Sequence, residues 1–281
     1  AGGGGSWCSC KRPFVDQIDQ PFSSMQKGGS IARAAHRWPA AALRRFSSGG
    51  GSPGIFEMRK YTLKPEKAGK YLSALEAYGD VRKRLLPLRL FALPETGGQL
   101  FVATHLYSYR DIAEREEKRA KAIQDAEWLA FLSETNECLS TTESSIYVEA
   151  KATLEACGLD GASSPGPLGD PESPGVYEFR RYQLRLGYDA VPLFLEHYGK
   201  GLPSKLEADP QAKLVTLLYS DIGGLNEVYE VWRHDDVSAM TRSRVEARKA
   251  TEWRASIAQI AGLAQTFTTT IMKPVKPSVW N

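Results

Sequence analysis

One pattern occurs twice in this chain and limits what it can fold into. Residues 52–63 read SPGIFEMRKYTL and residues 173–184 read SPGVYEFRRYQL. An offset of 121 carries Glu57 onto Glu178, Arg59 onto Arg180 and Tyr61 onto Tyr182. Farther on the offset becomes 125, carrying Arg119 onto Arg244, Glu127 onto Glu252, Trp128 onto Trp253 and Ile146 onto Ile271. A pattern repeated at nearly constant offset marks a duplicated structural unit. The four-residue change in offset places a length difference before the third strand of the second copy, in the region of residues 199–212.

Each copy reads as β-α-β-β-α-β. Residues 55–63 alternate, with Phe56 and Met58 on one side and Glu57, Arg59 and Tyr61 on the other, which is the period of a strand. Pro65 opens a helix whose stripe is Tyr71, Leu72, Leu75 and Tyr78. Strands at 88–93 and 100–107 flank the turn 94–98, a charged helix covers 111–123, and 145–150 is the last strand. The second copy predicts strands at 176–184, 213–220, 227–233 and 266–272. Its helices begin at 189–198, interrupted by Gly199, Gly201 and Pro203, and at 237–260. The fold class is α+β: two ferredoxin-like modules, 55–150 and 174–273, joined by a Gly/Pro-rich linker at 151–173. Helices cover one face of such a sheet, and the open faces are expected to cover each other, sheet to sheet, as a pseudo-twofold α+β barrel. In that arrangement Phe56, Met58, Tyr177 and Phe179 face the helices. Glu57, Arg59, Tyr61, Glu178, Arg180 and Tyr182 then look into the barrel, with His105 and Glu230 on the neighbouring strands. Residues 274–281 read as a C-terminal arm that either docks elsewhere or hangs free.

Charge is unevenly spread. Residues 1–46 hold seven of the 36 Lys/Arg and two of the 33 Asp/Glu, a balance of +5 that leaves the rest of the +3 chain at −2. A slightly acidic body removes the electrostatic case for nucleic acid. Between Met25 and Phe46 there is no acid, and Arg33, Arg37, Arg44 and Arg45 are spaced among alanines. That is the composition of a mitochondrial targeting segment, cleaved near Ser47, with 47–54 as a Gly/Ser linker and Met25 a candidate start. A plastid transit peptide shares the Arg/Ser bias, and a tail without an address is the other reading. No apolar run reaches the ~18 residues of a membrane span. The four cysteines show neither CxxC nor a Cys/His ligand cluster, so no metal is expected.

With those residues in place, the sequence resembles the NIPSNAP family. The resemblance rests on Phe56-Glu57-Met58-Arg59 with Tyr61, and on Tyr177-Glu178-Phe179-Arg180 with Tyr182. It also rests on Gly224-Leu225-Asn226 with Val228 and Trp232, and on Glu127-Trp128 and Glu252-Trp253. Membership implies tandem α+β-barrel modules, a mitochondrial presequence, and adaptor or vesicle-traffic roles without assigned catalytic residues. Two positions depart from the pattern. Glu230 stands where the family carries His two residues before the hairpin Trp, and His105 in the first copy is followed by Tyr107 instead of Trp.

The chemistry-bearing residues each have two readings. The Glu/Arg pairs either bind a carboxylate or phosphate through Arg, or pair internally and fix how the modules meet. His105 is either a haem ligand or general base, or a hydrogen-bonded structural residue. Trp128 and Trp253 read as core anchors. No SNARE-like heptad run is present, and the helix at 111–123 has a solvated face. The preferred functional reading is a non-enzymatic mitochondrial matrix protein, an adaptor or accessory subunit of a larger assembly, with no cofactor. Its partners would be other mitochondrial proteins, and a homo-oligomer is compatible with it. The alternative is a small-ligand or haem-binding barrel enzyme of monooxygenase type.

Overall fold

A computed structural model describes residues 54–163, 168 and 174–280. The expected targeting segment and its linker lie outside these residues. The first module runs β1 (Ile55–Leu63), α1 (Ala68–Ala77), α2 (Gly79–Leu85), β2 (Leu88–Thr96), β3 (Val102–Tyr109), α3 (Ile112–Ala122), α4 (Ala126–Thr135) and β4 (Leu139–Glu149). After a short helix α5 (Lys151–Ala156), the second runs β5 (Val176–Leu184), α6 (Ala190–Ala208), β6 (Lys213–Ile222), β7 (Glu227–His234), α7 (Val237–Ala247), α8 (Thr251–Ala261) and β8 (Ala264–Pro274).

All eight strands close into one antiparallel barrel in the order β1-β3-β2-β8-β5-β7-β6-β4. The α+β barrel expected from the duplication is therefore present, closed by strand pairing at the module edges. The edge strand β2 pairs with β8, and β4 pairs with β6. Closure satisfies backbone groups that two open sheets would leave bare. The duplication extends to register: Arg59 stands opposite His105 as Arg180 stands opposite Glu230. Likewise Arg59 faces Ser144 on β4 and Arg180 faces Thr269 on β8.

The faces are the reverse of the sequence expectation. Phe56, Met58, Tyr177 and Phe179 fill the barrel interior with Leu106, Leu218, Val231 and Met272 from other strands. Glu57, Arg59, Tyr61, Glu178, Arg180 and Tyr182 point outward, beneath the helices. An eight-stranded barrel has room for side chains and little else, so its core takes the more apolar parity of each strand. The polar groups on that parity (Lys60, Glu149, Arg181 and Glu227) are bonded to Tyr229, Thr216, Tyr147 or one another. The charged parity goes where helix-borne arginines can pair with it. Period two was right; which side was which could not be read, because both faces of these strands are buried.

Several element boundaries also change. The helix expected over 237–260 is two, α7 and α8. The expected break after Tyr198 is absent, and α6 continues through Pro203 to Ala208. The linker at 151–173 opens as helix α5, buries Leu154 in the second module's core and sends Ala162 into the barrel interior. The C-terminal arm is neither free nor docked elsewhere. Trp280 is fully buried in the barrel core and stacks on Tyr177 at 6.5 Å.

Candidate functional site

Two related polar layers lie between the strands and helices, one per module. In the first, Glu57 is wholly buried and fully engaged. Arg115 donates to its Oε1 at 2.8 Å, Arg119 to Oε2 at 2.7 Å, and Ser144 Oγ to Oε1 at 2.8 Å, with Arg59 at 3.5 Å. Burial pushes this carboxyl up, but Arg119, Arg59 and Arg115 outweigh it and hold it at about 2. Both arginines on α3 are placed by an Asp111 cap, whose carboxylate accepts from the Glu114 backbone N–H at 2.8 Å.

His105 belongs to the same layer and is fully buried. Its Nδ1 lies 3.0 Å from Arg82 Nη1, a group that can only donate, so Nδ1 accepts and Nε2 carries the proton toward Tyr71 Oη at 3.5 Å. The rings of Tyr61 and Phe91 pack on it at 4.5 and 4.7 Å. Burial first, then Arg82 and Arg59, push its pKa well below the usual histidine value. A neutral imidazole with both nitrogens engaged and both faces covered leaves no approach for an iron, which sets aside the haem-ligand reading of His105. Arg82 in turn lies over Trp128 at 5.0 Å and bonds Tyr107 Oη. Among the described residues, this module's layer is buried and bonded mostly to itself, with the Nε atoms of Arg59, Arg82 and Arg115 left without a partner.

The second module departs from it. Glu178 accepts from Arg244 at 2.7 Å and faces His234 at 3.3 Å, with Arg180 at 3.7 Å. Burial raises its pKa, and His234, Arg180 and Arg244 more than reverse that, to about 2. Glu230 accepts from Trp232 Nε1 at 2.7 Å and from Tyr182 Oη, and faces Arg180 at 3.5 Å. Glu230 thus fills the place of His105 and brings a charge into the layer. Arg180 is held protonated above its ordinary range, burial opposing and Glu230 prevailing.

Beside this network a cleft of about 560 Å³ opens between β5, β8, α7 and α8. Arg180, Lys205, Arg244, Arg248 and Arg254 line it, against the single carboxylate of Glu178. Trp253, Ile257, Ala258 and Phe267 supply an apolar wall. Among the described residues Arg248 and Arg254 have no carboxylate within ion-pair distance. Lys205 comes from α6, is 5% exposed, and sits 3.3 Å above the Trp232 ring centroid and 4.8 Å from that of Trp253. Burial lowers its pKa to about 7, partly offset by Glu230.

Of the residues expected in a barrel-interior cluster, none is in the interior. Arg59, Tyr61, His105 and Glu57 share the first layer, and Arg180, Tyr182, Glu230 and Glu178 the second, so the two sets are not one site. The motif residues serve structure. Val228, Trp232, Trp253 and Trp128 are core, and Glu127 pairs with Arg84 on the surface. Glu252, in the first turn of α8, is exposed. Gly224 and Leu225 lie in the exposed β6–β7 turn, and Asn226 takes a left-handed φ of 57°. Its side chain donates to the carbonyls of Arg185 and Gly187, tying that turn to the β5–α6 loop. Sequence reasoning missed Lys205, Arg248, Arg254 and Phe267. A signal existed for Lys205: it continues the buried stripe Phe194, Tyr198, Leu202 of α6 at helical spacing.

Comparison with known proteins agrees with this architecture. The NIPSNAP family model matches residues 56–153 and again 177–279. The protein NipSnap homolog 3A of Homo sapiens is 27% identical over 68% of this chain and 72% of its own length. Among solved structures, one from Fusobacterium nucleatum subsp. nucleatum superposes with a TM-score of 0.57 at 10% identity, over 80% of this chain and 94% of that one. An anthrone oxidase-like protein does so with a TM-score of 0.50 at 12% identity, over 81% and 96%. These two show the fold alone. No helix among the described residues is long and apolar enough to cross a membrane. With both modules matched in their expected places and both built on the same register, the chain belongs to the NIPSNAP family.

Proposed function

We propose that this protein is a mitochondrial small-ligand-binding barrel whose second module takes an organic anion with an apolar body. The observation that carries this is the cleft's composition: five cationic side chains against one carboxylate, over an apolar wall. A site that is cationic on one side and apolar on the other matches a carboxylate or phosphate attached to a hydrocarbon. The closed first layer serves as scaffold. Localisation rests on the acid-free, Arg-bearing stretch 25–46.

Titration calorimetry with octanoate and octanol tests the reading. Octanoate is expected to bind saturably and octanol weakly, and Arg248→Glu with Arg254→Glu should cost octanoate at least about tenfold in affinity, since each charge-assisted contact is worth about 1.5–3 kcal/mol. Equal binding of the two, or no effect of the double reversal, overturns it. For the address, residues 1–54 fused to a fluorescent protein should enter mitochondria, and a diffuse cytosolic signal contradicts that.

The adaptor reading keeps one specific support. Leu186, Tyr188 and Leu225 are 82%, 94% and 59% exposed, on the two loops that Asn226 ties together. Large apolar side chains held out on a braced pair of loops suit a protein contact. Tyr188→Ser with Leu186→Ser should release any co-purifying partner without changing the melting temperature; retention of the partner counts against this surface.

A further inference from the structure

The pseudo-symmetry gives Lys205 and Arg82 the same place and different chemistry. Both are buried basic residues on a helix between the first two strands of their module, Arg82 on α2 and Lys205 on α6. Each lies against the tryptophan that follows the charged helix, Arg82 at 5.0 Å from Trp128 and Lys205 at 4.8 Å from Trp253. Arg82 is anchored by His105 and Tyr107 and faces a closed layer. Lys205 has no hydrogen-bond acceptor and no carboxylate within ion-pair distance among the described residues, and its ammonium group rests on two indole faces. It also lines the open cleft, which Arg82 does not. A buried lysine on the wall of a cationic cleft, with no acceptor for its Nζ, is an amine poised to react, since desolvation favours its neutral form over the opposing pull of Glu230. The groups facing it are Glu178 and Arg180 from β5, Glu230 from β7 and Asp209 beyond α6; Glu230 is itself committed to Tyr182, Trp232 and Arg180.

Resting on the anion-binding reading above, we infer that the ligand class is the 2-oxo acids and that Lys205 Nζ forms a reversible imine with the oxo carbon. The arginines on the cleft take the carboxylate, Trp253 and Phe267 flank the apolar substituent, and the adjacent carbonyl meets the lysine. In the step, the Nζ lone pair adds to the carbonyl carbon and the C–O π electrons move to oxygen. That oxygen takes up the two protons the nitrogen releases and departs as water, leaving a neutral C=N bond. Nothing is oxidised or reduced, and the reverse step is hydrolysis. A burial-lowered amine of about 7 keeps a large fraction of Lys205 neutral at physiological pH, consistent with this role.

The test treats the full chain with phenylpyruvate and sodium cyanoborohydride, then locates the reduced secondary amine by peptide mass spectrometry. Phenyllactate, which has the carboxylate and ring but no carbonyl, is the competitor, and its own binding is read by calorimetry. Labelling concentrated on Lys205, saturable, suppressed by phenyllactate and lost in both Lys205→Met and Lys205→Arg, supports the inference. Lys205→Arg retains the buried cation, so it guards against a loss that reflects misfolding, and mapping on the wild-type chain needs no variant. Saturable phenyllactate binding without a Lys205 adduct overturns the imine and leaves the anion site standing. Label scattered over surface lysines without saturation overturns the imine as well. Absence of binding by either acid overturns both readings.

Discussion

Glu57 and Glu178 occupy equivalent places, yet their surroundings differ in what they leave open. Glu57 has five side chains donating to it (Arg59, Tyr109, Arg115, Arg119 and Ser144) and no exposed surface, so removing its charge strands Arg115 and Arg119. Glu57→Gln is expected to destabilise the barrel by about 3–5 kcal/mol, the usual cost of breaking a buried pair. Urea denaturation measures it, and an unchanged midpoint contradicts the pairing described. Both carboxyls titrate near 2 in the folded chain, below the roughly 4.3 of an unfolded glutamate. Their contribution is present above the unfolded value and is lost as pH falls from about 4.3 toward 2. His105 adds an earlier limb: held neutral when folded, it destabilises the native state once pH drops below the roughly 6.5 at which an unfolded histidine protonates. As pH falls below neutrality, stability should therefore decline in two stages, and His105→Gln should remove the first. At this scale the repeated Glu-x-Arg-x-Tyr was legible as a pair of related sites. The partners were not, because Arg115 and Arg119 reach Glu57 from a helix whose sequence reads as a solvated surface.

Among elements, α6 shows how neighbours offset a local defect. Pro203 lacks the N–H that would bond the Gly199 carbonyl, and the Cys157 thiol from beyond α5 donates to that carbonyl instead, at 3.6 Å. Gly201 lets α6 approach α8, since a Cβ there would come within 2.6 Å of Ser256. Helix α8 has no cap from its own Ala250; Ser204 of α6 accepts from the Trp253 backbone N–H at 2.9 Å. Ser204→Ala should cost about 1 kcal/mol, as a lost N-cap does. Gly201→Val should cost more by forcing the helices apart and should also widen the cleft that α8 helps wall; chemical denaturation alongside ligand titration separates the two effects. The Gly-x-Gly-x-Pro run reads as a helix break in isolation. The break is overruled by contacts with α5 and α8, which lie 42 or more residues away in sequence.

For the whole molecule, duplication foretold two modules and a barrel, and those are present. What it hid was the inversion of faces and the plug. Trp280 closes the barrel core against Tyr177, with its backbone N–H and that of Val279 both donating to the Arg89 carbonyl. Trp280→Ala should destabilise by about 3–5 kcal/mol, in keeping with loss of a buried aromatic, and a thermal melt would report it. Divergence of the two copies at Arg82/Lys205 and His105/Glu230 turned one layer into scaffold and left the other open to solvent. On the proposed function, ligand enters the second module and neither the first layer nor the barrel interior. Hydrogen–deuterium exchange with and without octanoate tests it most directly. Slowed exchange is expected, confined to α6 around Lys205, α7, α8 and the adjoining ends of β5 and β8. Protection in α3 and α4 of the first module, or none anywhere at saturating octanoate, would contradict it.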